Sequence, residues 1–469
     1  MLKRNLLPAL LANAFFATLA YAADASPPGL LNPAELQTAS WIRDHAPTDN
    51  KSYQILESLT TEVGARMAGS PADARAVAWA EAKFKELGFD KVWKEPVSFP
   101  TWQRGVESAS VLAPYPHQLS ITALGNSVAT PAGGLQAEIL RFDDLNALKA
   151  APAAAVRGKI VFIDHKMQSA QDYGKVAAGR SRGASEAARK GALAIVIRSV
   201  GTDSHRVPHT GVMHYDADSS KIPAAAISNP DADLLDRLLE RGQPVRLALT
   251  LGSQAAGNYT SYNVIGEISG SEQPDEYVLI GGHLDSWDLG TGAVDDGAGC
   301  AITMAAAEFL QRHRLKPKRS IRVVLYANEE QGLIGGDAYH AAHRQELTRI
   351  QAAAEADAGQ GPVLQLSSFV QPAALDMVRQ MQTVLAPLGI QPGDNQAHPG
   401  PDMGVLRNAG VASFALTLHA DDYFDIHHTA DDTFDKIRPQ RINQTAAAYA
   451  VFAWMAAQAP RRFGSALPQ

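Results

Sequence analysis

The C-terminal half of the chain alternates short apolar runs with segments of helical periodicity. Five runs of six to eight residues predict strands buried on both faces, namely YNVIGEI, YVLIGGH, IRVVLYAN, AAAEAD and VASFALT. Residues 298–313, 373–388 and 443–457 predict helices between and after these strands. Buried strands that alternate with helices are typical of a mostly parallel sheet covered on both sides. This half of the chain is therefore predicted to form a three-layer α/β/α domain.

Residues 115–255 differ in pattern from the C-terminal half and predict an inserted module of mixed strands and helices. The apolar runs GKIVFID, LAIVIRS, IPAAAIS and VRLALTL predict four strands there. The segments RGASEAARKGA and PDADLLDRLLERG predict helices between them. Charged clusters of a catalytic type are scarce in this region, and GSQAAGNYTS is predicted as the linker that leaves it.

The first 22 residues predict a secretory signal peptide. Two positive charges in MLKR precede the apolar run NLLPALLANAFFATLA, and AYA supplies a small-residue cleavage site that ends at Ala22. After a polar lead-in over residues 23–50, a helix is predicted to begin at Ser70 and to end at Gly88. The strand KVWKEPVSFP follows and is predicted to end at Pro100.

Composition predicts a soluble globular protein once the signal peptide is removed. The 469 residues are 46% hydrophobic and 19% charged, and no later segment has 18 consecutive apolar residues. The formal net charge of −7 becomes more negative when Lys3 and Arg4 are removed, which argues against a nucleic-acid or anionic-membrane partner. Cys300 is the single cysteine, so no internal disulfide can form, and its apolar helical surroundings predict a buried thiol rather than a nucleophile.

Acidic and imidazole side chains cluster where the predicted strands end. Four strand ends and the glycine-rich stretch GGHLDSWDLGTGAVDDGAG supply this group. Its members are His283, Asp285, Asp295, Asp296, Glu329, Glu330, Asp357, His427 and His428. Because parallel strands end at the same edge of a sheet, we expect these side chains to lie close together. Taken singly, each of them could equally cap a turn or a helix, or face solvent.

Such a concentration of carboxylates requires a cation. Uncompensated carboxylates in partly desolvated surroundings repel one another at a cost of several kcal/mol. Imidazoles beside carboxylates favour zinc over magnesium or calcium, which prefer oxygen ligands. Five ligands drawn from this group would exceed the capacity of one tetrahedral zinc ion, which takes four. Two zinc ions that share a bridging carboxylate account for all five and leave one acid for proton transfer.

The motifs of this group resemble one known family. HLDSWD, DDGAG, NEEQG, EADAG and FDIHHTADDT are similar to motifs of the co-catalytic di-zinc exopeptidases related to aminopeptidase Y, glutamate carboxypeptidase and the transferrin receptor. The stretches SRGASEAARKGALAIVIRS, VPHTGVMHY and PVSFPTWQRG also resemble those of the carboxypeptidase Q subgroup of this family. The resemblance covers nearly all of the mature chain.

This resemblance implies a fold and a domain organisation. The fold would be a three-layer α/β/α zinc-exopeptidase (phosphorylase/hydrolase-like) domain with a mostly parallel central sheet and an inserted protease-associated domain. The chain would comprise a signal peptide (1–22), an N-terminal catalytic part (40–114), the protease-associated insertion (115–255) and the main catalytic part (256–462).

Carried over position by position, the resemblance also implies a ligand set for two zinc ions per subunit. His283 and Asp357 would hold one ion. Glu330 and His428 would hold the other. Asp295 would bridge both ions, and its peptide bond to the next residue would be cis.

The resemblance further makes Glu329 the general base and places Asp285 in hydrogen bonding to the far nitrogen of His283. A water that bridges the zinc ions would lose a proton to Glu329, which would pass it to the leaving amine. Adjacent residues on an extended chain point in opposite directions. We therefore expect only one of His427 and His428 to reach the ions, and the resemblance selects His428.

The sequence thus predicts a secreted or periplasmic zinc-dependent exopeptidase that hydrolyses dipeptides or unblocked ends of short peptides. The resemblance suggests a homodimer, with no nucleic-acid partner and no membrane partner after signal cleavage. Two other interpretations remain: another di-zinc amidohydrolase such as a deacylase, and a non-catalytic receptor-like scaffold. In those deacylases the insertion follows the paired glutamates, whereas here it precedes His283. A scaffold would carry degenerate ligands, which this sequence does not.

Overall fold

The computed structural model describes residues 30–420 and 422–467, so the signal peptide predicted over residues 1–22 lies outside the described residues. The helices are α1 (Pro33–Asp49), α2 (Ser52–Glu62), α3 (Pro71–Glu86), α4 (Leu145–Ala150), α5 (Ala153–Val156), α6 (Tyr173–Arg189), α7 (Asn229–Leu239), α8 (Ala298–Arg312), α9 (Ile334–His343), α10 (Leu375–Leu385), α11 (Gly404–Asn408), α12 (Tyr423–Ile426) and α13 (Pro439–Gln458). The strands are β1 (Lys91–Gln103), β2 (Glu107–Ala113), β3 (His117–Leu119), β4 (Ile121–Ala123), β5 (Leu135–Phe142), β6 (Ile160–Ile163), β7 (Ala194–Arg198), β8 (Ala224–Ile227), β9 (Arg246–Leu251), β10 (Gln254–Ile268), β11 (Gln273–His283), β12 (Arg319–Tyr326), β13 (Ile350–Glu355), β14 (Val363–Phe369), β15 (Gln391–Pro392) and β16 (Ser413–Leu418). None of the helices in the described part of the chain combines the length and apolarity that a membrane crossing requires.

The described residues form two sheets, and the first contains the five strands predicted in the C-terminal half. Its strand order is β1-β10-β12-β11-β13-β16-β14-β15. The four neighbouring strands β12, β11, β13 and β16 are parallel, which confirms the predicted parallel centre. The pairs β1–β10, β10–β12 and β14–β16 are antiparallel, so the sheet as a whole is mixed.

Side chains of β11 alternate between two cores. Val278 and Ile280 pack in the core that includes α8 and α13, and Tyr277 and Leu279 pack in the core that includes α9 and α11. All four side chains are buried, because a strand between two helical layers has no face in water. The sheet is therefore the middle layer of three, as predicted.

The second sheet forms a module inserted between β1 and β10, and we use the name inserted module for residues 107–251. Its strand order is β3-β2-β9-β5-β6-β7-β8-β4, and α6 packs on β7. The module begins with β2, ahead of the predicted boundary at residue 115. The chain leaves the first sheet through β1 and returns through β10, which pair antiparallel along almost their full length.

Three segments differ from their predicted structure. The predicted linker GSQAAGNYTS is the start of β10, because β1 offers it a pairing edge. The lead-in contains the helix α1, which Asn32 and Glu35 begin with reciprocal side-chain caps. Strand β1 continues past Pro100 to Gln103, which an edge strand tolerates because a missing N–H can face solvent.

Candidate active site

Four neighbouring parallel strands deliver most of the predicted site residues to one edge of the first sheet. His283 is the last residue of β11, and the two glutamates 329 and 330 follow β12 in a short loop. Asp357 follows β13, and the two histidines 427 and 428 follow β16 and the short helix α12. The strand order explains this convergence, since β12, β11, β13 and β16 are consecutive in the sheet.

Asp295 lies between two histidines from distant parts of the chain. Its Oδ1 atom is 3.1 Å from Nε2 of His283, and its Oδ2 atom is 3.2 Å from Nε2 of His428. A second acid accompanies each histidine. Asp357 Oδ1 lies 3.8 Å from His283 Nε2, and Glu330 Oε2 lies 3.0 Å from His428 Nε2. One carboxylate therefore faces two similar imidazole–carboxylate pairs.

The glycine-rich loop before Asp295 is held by the buried guanidinium of Arg66. Arg66 donates from Nε to the carbonyl oxygen of Leu284 and from its two Nη atoms to the carbonyl oxygens of Thr291 and Gly292, at 2.5, 2.7 and 3.0 Å. Gly292 has φ of +58°, and a Cβ there would lie 2.3 Å from Cβ of Ser286. Glycine is therefore required for the loop to fold this closely. Sequence reasoning missed Arg66, because its acceptors are backbone groups far along the chain.

The peptide bond between Asp295 and Asp296 is cis, as the resemblance implies. The Asp296 carboxylate accepts hydrogen bonds from two backbone groups. Its Oδ2 accepts a hydrogen bond from the N–H of His283 and its Oδ1 from the N–H of Gly299, each at 3.0 Å. The neighbouring Cys300 is buried and its thiol donates to the carbonyl oxygen of His283. Burial raises the pKa of this thiol, as expected of a structural cysteine.

Asp285 contacts the backbone of both glutamates. Its Oδ1 accepts from the N–H of Glu329 at 3.1 Å, and its Oδ2 accepts from the N–H of Glu330 at 3.4 Å. The expected contact with His283 takes a different form. His283 Nδ1 lies 3.1 Å from the carbonyl oxygen of Asp285 and 3.6 Å from its Oδ1. Asp285 thus orients the histidine through its backbone and the glutamates through its side chain.

Asp432 performs a similar task for Asp295. Its Oδ1 accepts from the N–H of Val294 at 2.6 Å, and its Oδ2 accepts from the N–H of Asp295 at 3.1 Å. Burial raises the pKa of Asp432 to about 7, and the Asp295 charge adds to this. The motif ADDT does not predict this contact, because an aspartate at such a position commonly caps a turn.

The structure corrects the expectation that only one of His427 and His428 can reach this group. His428 has φ of +63°, so the chain there is not extended and both rings turn to the same side. The rings stack with centroids 3.5 Å apart, and His427 Nε2 lies 3.5 Å from Asp295 Oδ2. His427 is therefore a neighbour of the site that the extended-chain argument excluded.

The pKa values show how strongly these buried groups interact. Burial raises the pKa of Asp357 to about 7, with repulsion from Asp295 and Glu330 adding to it. Burial opposes a charge on His428, but Glu330 and Asp295 outweigh it and raise the pKa of this ring to about 10. The carboxylates thus require positive charge between them, which protonated rings or a cation can supply.

The geometry fits a metal. Among the described residues, three sets of side chains have ligand atoms that all lie within 4.8 Å of one another. These sets are His283 with Asp295 and Glu330, His283 with Asp296 and Asp357, and Asp295 with His427 and His428. Mixed nitrogen and carboxylate donors of this kind suit zinc.

A cavity of about 610 Å³ opens onto this group between the two sheets. The inserted module contributes Arg180 and Tyr173, and segments that follow strands of the first sheet contribute Glu329, Glu330 and Tyr423. Arg180 is 6% exposed, and its Nη2 donates to the hydroxyl of Tyr173 at 2.9 Å. Its Nε and Nη1 atoms have no hydrogen-bond partner, and no carboxylate in residues 30–420 or 422–467 pairs with it. A buried guanidinium with unused donors is prepared to bind an anionic group.

Comparison with known proteins shows that this chain is similar to peptidases in both sequence and structure. The model of peptidase family M28 matches residues 263–453. Carboxypeptidase Q of Homo sapiens is 36% identical over 411 residues, which cover 87% of this chain and 85% of that protein. The crystal structure of a peptidase M28 precursor from Shewanella amazonensis SB2B is 49% identical, with a TM-score of 0.91 and coverage of 93% of this chain and 99% of that one. An aminopeptidase from Aneurinibacillus sp. strain AM-1 is 22% identical with a TM-score of 0.62 over 89% and 96% of the two chains, and it shares the fold.

Proposed function

The chain belongs to peptidase family M28 and is a metallo-exopeptidase, and we propose that it hydrolyses dipeptides and short peptides with unblocked ends by using two zinc ions. The observation that carries this proposal is the position of the Asp295 carboxylate, with Oδ1 3.1 Å from His283 Nε2 and Oδ2 3.2 Å from His428 Nε2. A carboxylate between two such pairs is what two ions that share one ligand require.

The two imidazole–carboxylate pairs support a ligand set for the two ions. We assign His283 and Asp357 to one zinc ion, and Glu330 and His428 to the other. Asp295 would bridge them. Each ion would then have three protein ligands, which is the number in catalytic zinc sites that keep a position open for water or substrate. When bound, such a pair supplies Lewis acidity to a water molecule and to the substrate carbonyl.

Glu329 is the residue that we assign to proton transfer. Its carboxylate lines the cavity, with Oε2 4.0 Å from His283 Nε2, and Asp285 holds its backbone N–H. Burial raises the pKa of Glu329 well above its usual value, and repulsion from Asp357 adds to this. A raised pKa suits a group that takes a proton from water and then gives it to the leaving amine.

Arg180 supports recognition of a free carboxylate at the C-terminal end of the substrate. Its unused Nε and Nη1 atoms can form a two-pronged contact with a carboxylate, and a cavity of about 610 Å³ accommodates a short peptide. The carboxylate also returns a negative partner to a buried positive charge, which favours binding. We therefore propose that dipeptides and C-terminally free peptides are preferred over amidated ones.

Three further properties belong to this proposal. The sequence of residues 1–22 supports export, to the periplasm or outside the cell. We assign the inserted module to the protease-associated type, because its sequence resembles that of the carboxypeptidase Q subgroup. We also expect a homodimer on the same resemblance.

A substrate panel tests the proposed function. Purified protein is assayed with dipeptides that are free, N-acetylated or C-terminally amidated, and with N-acyl amino acids, before and after complete metal removal by a chelator. We expect free dipeptides to be cleaved fastest, activity to vanish with the metal and zinc to restore it. Faster turnover of N-acyl amino acids would instead favour a deacylase. Activity that persists without any metal, or no cleavage of any unblocked peptide by zinc-loaded protein, would refute the proposal.

A further inference from the structure

One loop of the inserted module is hydrogen-bonded to the segment that carries His428. The N–H of Thr202 donates to the carbonyl oxygen of Phe424 at 3.2 Å, and its hydroxyl donates to Asp425 Oδ1 at 2.7 Å. Thr210 contacts His428 twice: its N–H donates to the His428 carbonyl oxygen at 3.0 Å, and its own carbonyl oxygen lies 3.3 Å from His428 Nδ1. The module thus contacts Nδ1 of His428, the ring whose Nε2 atom faces Asp295.

The residue before Thr210 makes a shorter contact with the same segment. The ring of His209 is fully buried, with Nδ1 2.7 Å from the carbonyl oxygen of His427 and Nε2 2.6 Å from Oδ2 of Asp203. Both partners are oxygen acceptors, and each lies within hydrogen-bond distance of one ring nitrogen. The ring is therefore held at both of its nitrogens.

Asp203 is itself fixed to the body of the module. Its Oδ2 accepts from Nδ2 of Asn229, the first residue of α7, at 3.0 Å, and its Oδ1 accepts from the N–H of His205 at 2.7 Å. Gly201 leaves the space that the ring of His209 occupies, because a Cβ there would lie 2.3 Å from its Cε1. A continuous chain of contacts therefore runs from α7 through Asp203 and His209 to the backbone of His427.

We propose that His209 and Asp203 are positioning residues for the metal site, which hold the His427 carbonyl and thereby fix the ring of His428. This inference rests on the proposed function, because it takes His428 as a zinc ligand. A histidine ligand is oriented by the group that its second nitrogen contacts, and here that group is the carbonyl of Thr210, the neighbour of His209. The positive φ of His428 is a conformation that persists only where the surroundings hold it. The inserted module thus completes the metal site in addition to covering it.

Metal titration of variants tests this role. His209→Leu removes both ring contacts, whereas His209→Asn keeps a donor near the Nδ1 position and loses Asp203. His205→Asn is the matched control, since His205 lies in the same loop with an exposed side chain. We expect His209→Leu to bind one of the two ions roughly 10–100-fold more weakly and the other normally, with a smaller loss in His209→Asn and none in the control. Co²⁺ absorption spectra should show the same selective change, which general destabilisation would not produce.

The outcomes separate this inference from the proposed function. If wild-type protein binds fewer than two ions, the proposed function fails and this inference fails with it. If wild-type protein binds two ions and His209→Leu binds both normally, or loses both equally, only the positioning role is refuted. Should His209→Leu not fold, His209→Asn and Asp203→Asn give the same comparison, and unchanged affinity and spectra in both would overturn the inference.

Discussion

Glu330 Oε2 lies 3.0 Å from His428 Nε2, although the two residues follow different strands of the first sheet. Burial disfavours a charge on either group, and each charge is stabilised by the other. Asp295 also stabilises the charge on His428, whereas it repels the charge on Glu330. Buried groups that depend on one another in this way are sensitive to removal of a single partner. The site can therefore be tested by changing its residues singly and asking which change releases metal and which affects turnover alone.

The same substitution at the adjacent residues Glu329 and Glu330 should affect zinc content and turnover differently. Glu329→Gln removes the proposed base, so we expect kcat to fall about 10²–10⁴-fold while zinc content and substrate binding remain. Glu330→Gln removes a ligand, so we expect loss of zinc and partial recovery of activity in excess zinc. Zinc analysis and steady-state kinetics on the two purified variants measure this. Retained turnover in Glu329→Gln would contradict its assignment.

Asp285 should act on zinc affinity rather than on the chemical step. In Asp285→Asn an amide NH₂ replaces one of the two oxygens that accept from the N–H groups of Glu329 and Glu330. We expect zinc affinity to fall roughly 10–100-fold, as measured by competition with a chelator. Unchanged affinity in this variant would show that the glutamate loop does not depend on the Asp285 carboxylate.

Arg180 should determine how well a free C-terminus is recognised. We expect Arg180→Met to raise KM for dipeptides roughly 10–100-fold, because hydrogen bonds to a charged group are lost. C-terminally amidated substrates should change little. Arg182→Met, an exposed position on the same helix, is the control. An equal effect on free and amidated substrates would refute carboxylate recognition by Arg180.

Asp73 should make the stability of the fold depend on pH. Burial raises the pKa of Asp73 to about 6, although Ser261 Oγ donates to its Oδ1 at 2.8 Å. The folded protein therefore binds this proton more tightly than the unfolded chain, and stability falls as pH rises between about 4 and 6. Asp73→Asn keeps the acceptor and removes the charge. We expect it to be near neutral at pH 4 and to raise the free energy of unfolding by about 1–3 kcal/mol at pH 8.

Denaturant unfolding of the chelator-treated protein measures the effect of Asp73→Asn, so that metal release at low pH does not contribute. Asp275→Asn, at an exposed position, reports the effect of losing one negative charge elsewhere. A difference between Asp73→Asn and wild type that stays constant from pH 4 to pH 8 would contradict the raised pKa.

The pattern of apolar runs along the chain was sufficient to predict the central parallel strands and the residues at their ends. His283, Glu330 and Asp357 each follow an apolar run, and parallel strands must bring such positions to one edge. The α1 helix was missed although Ala39, Ile42 and Ala46 have helical spacing, because the polar and proline residues around them dominate the composition.

The contacts that hold the site together could not be read from the sequence. Arg66 and Asp432 bind backbone groups that only the folded loop brings near, and neither has a local signature. His427 was excluded by assuming an extended chain, and the positive φ of His428 invalidates that assumption. His209 reaches its partner from another sheet, so no spacing rule connects the two.

The central claim is that Asp295 bridges two zinc ions between His283 and His428. An anomalous difference map at the zinc edge, from a crystal of zinc-loaded protein, tests it most directly. We predict two peaks: one against His283 and Asp357, one against Glu330 and His428, with the Asp295 carboxylate between them. A single peak in a fully loaded crystal, or peaks away from Asp295, would contradict the claim.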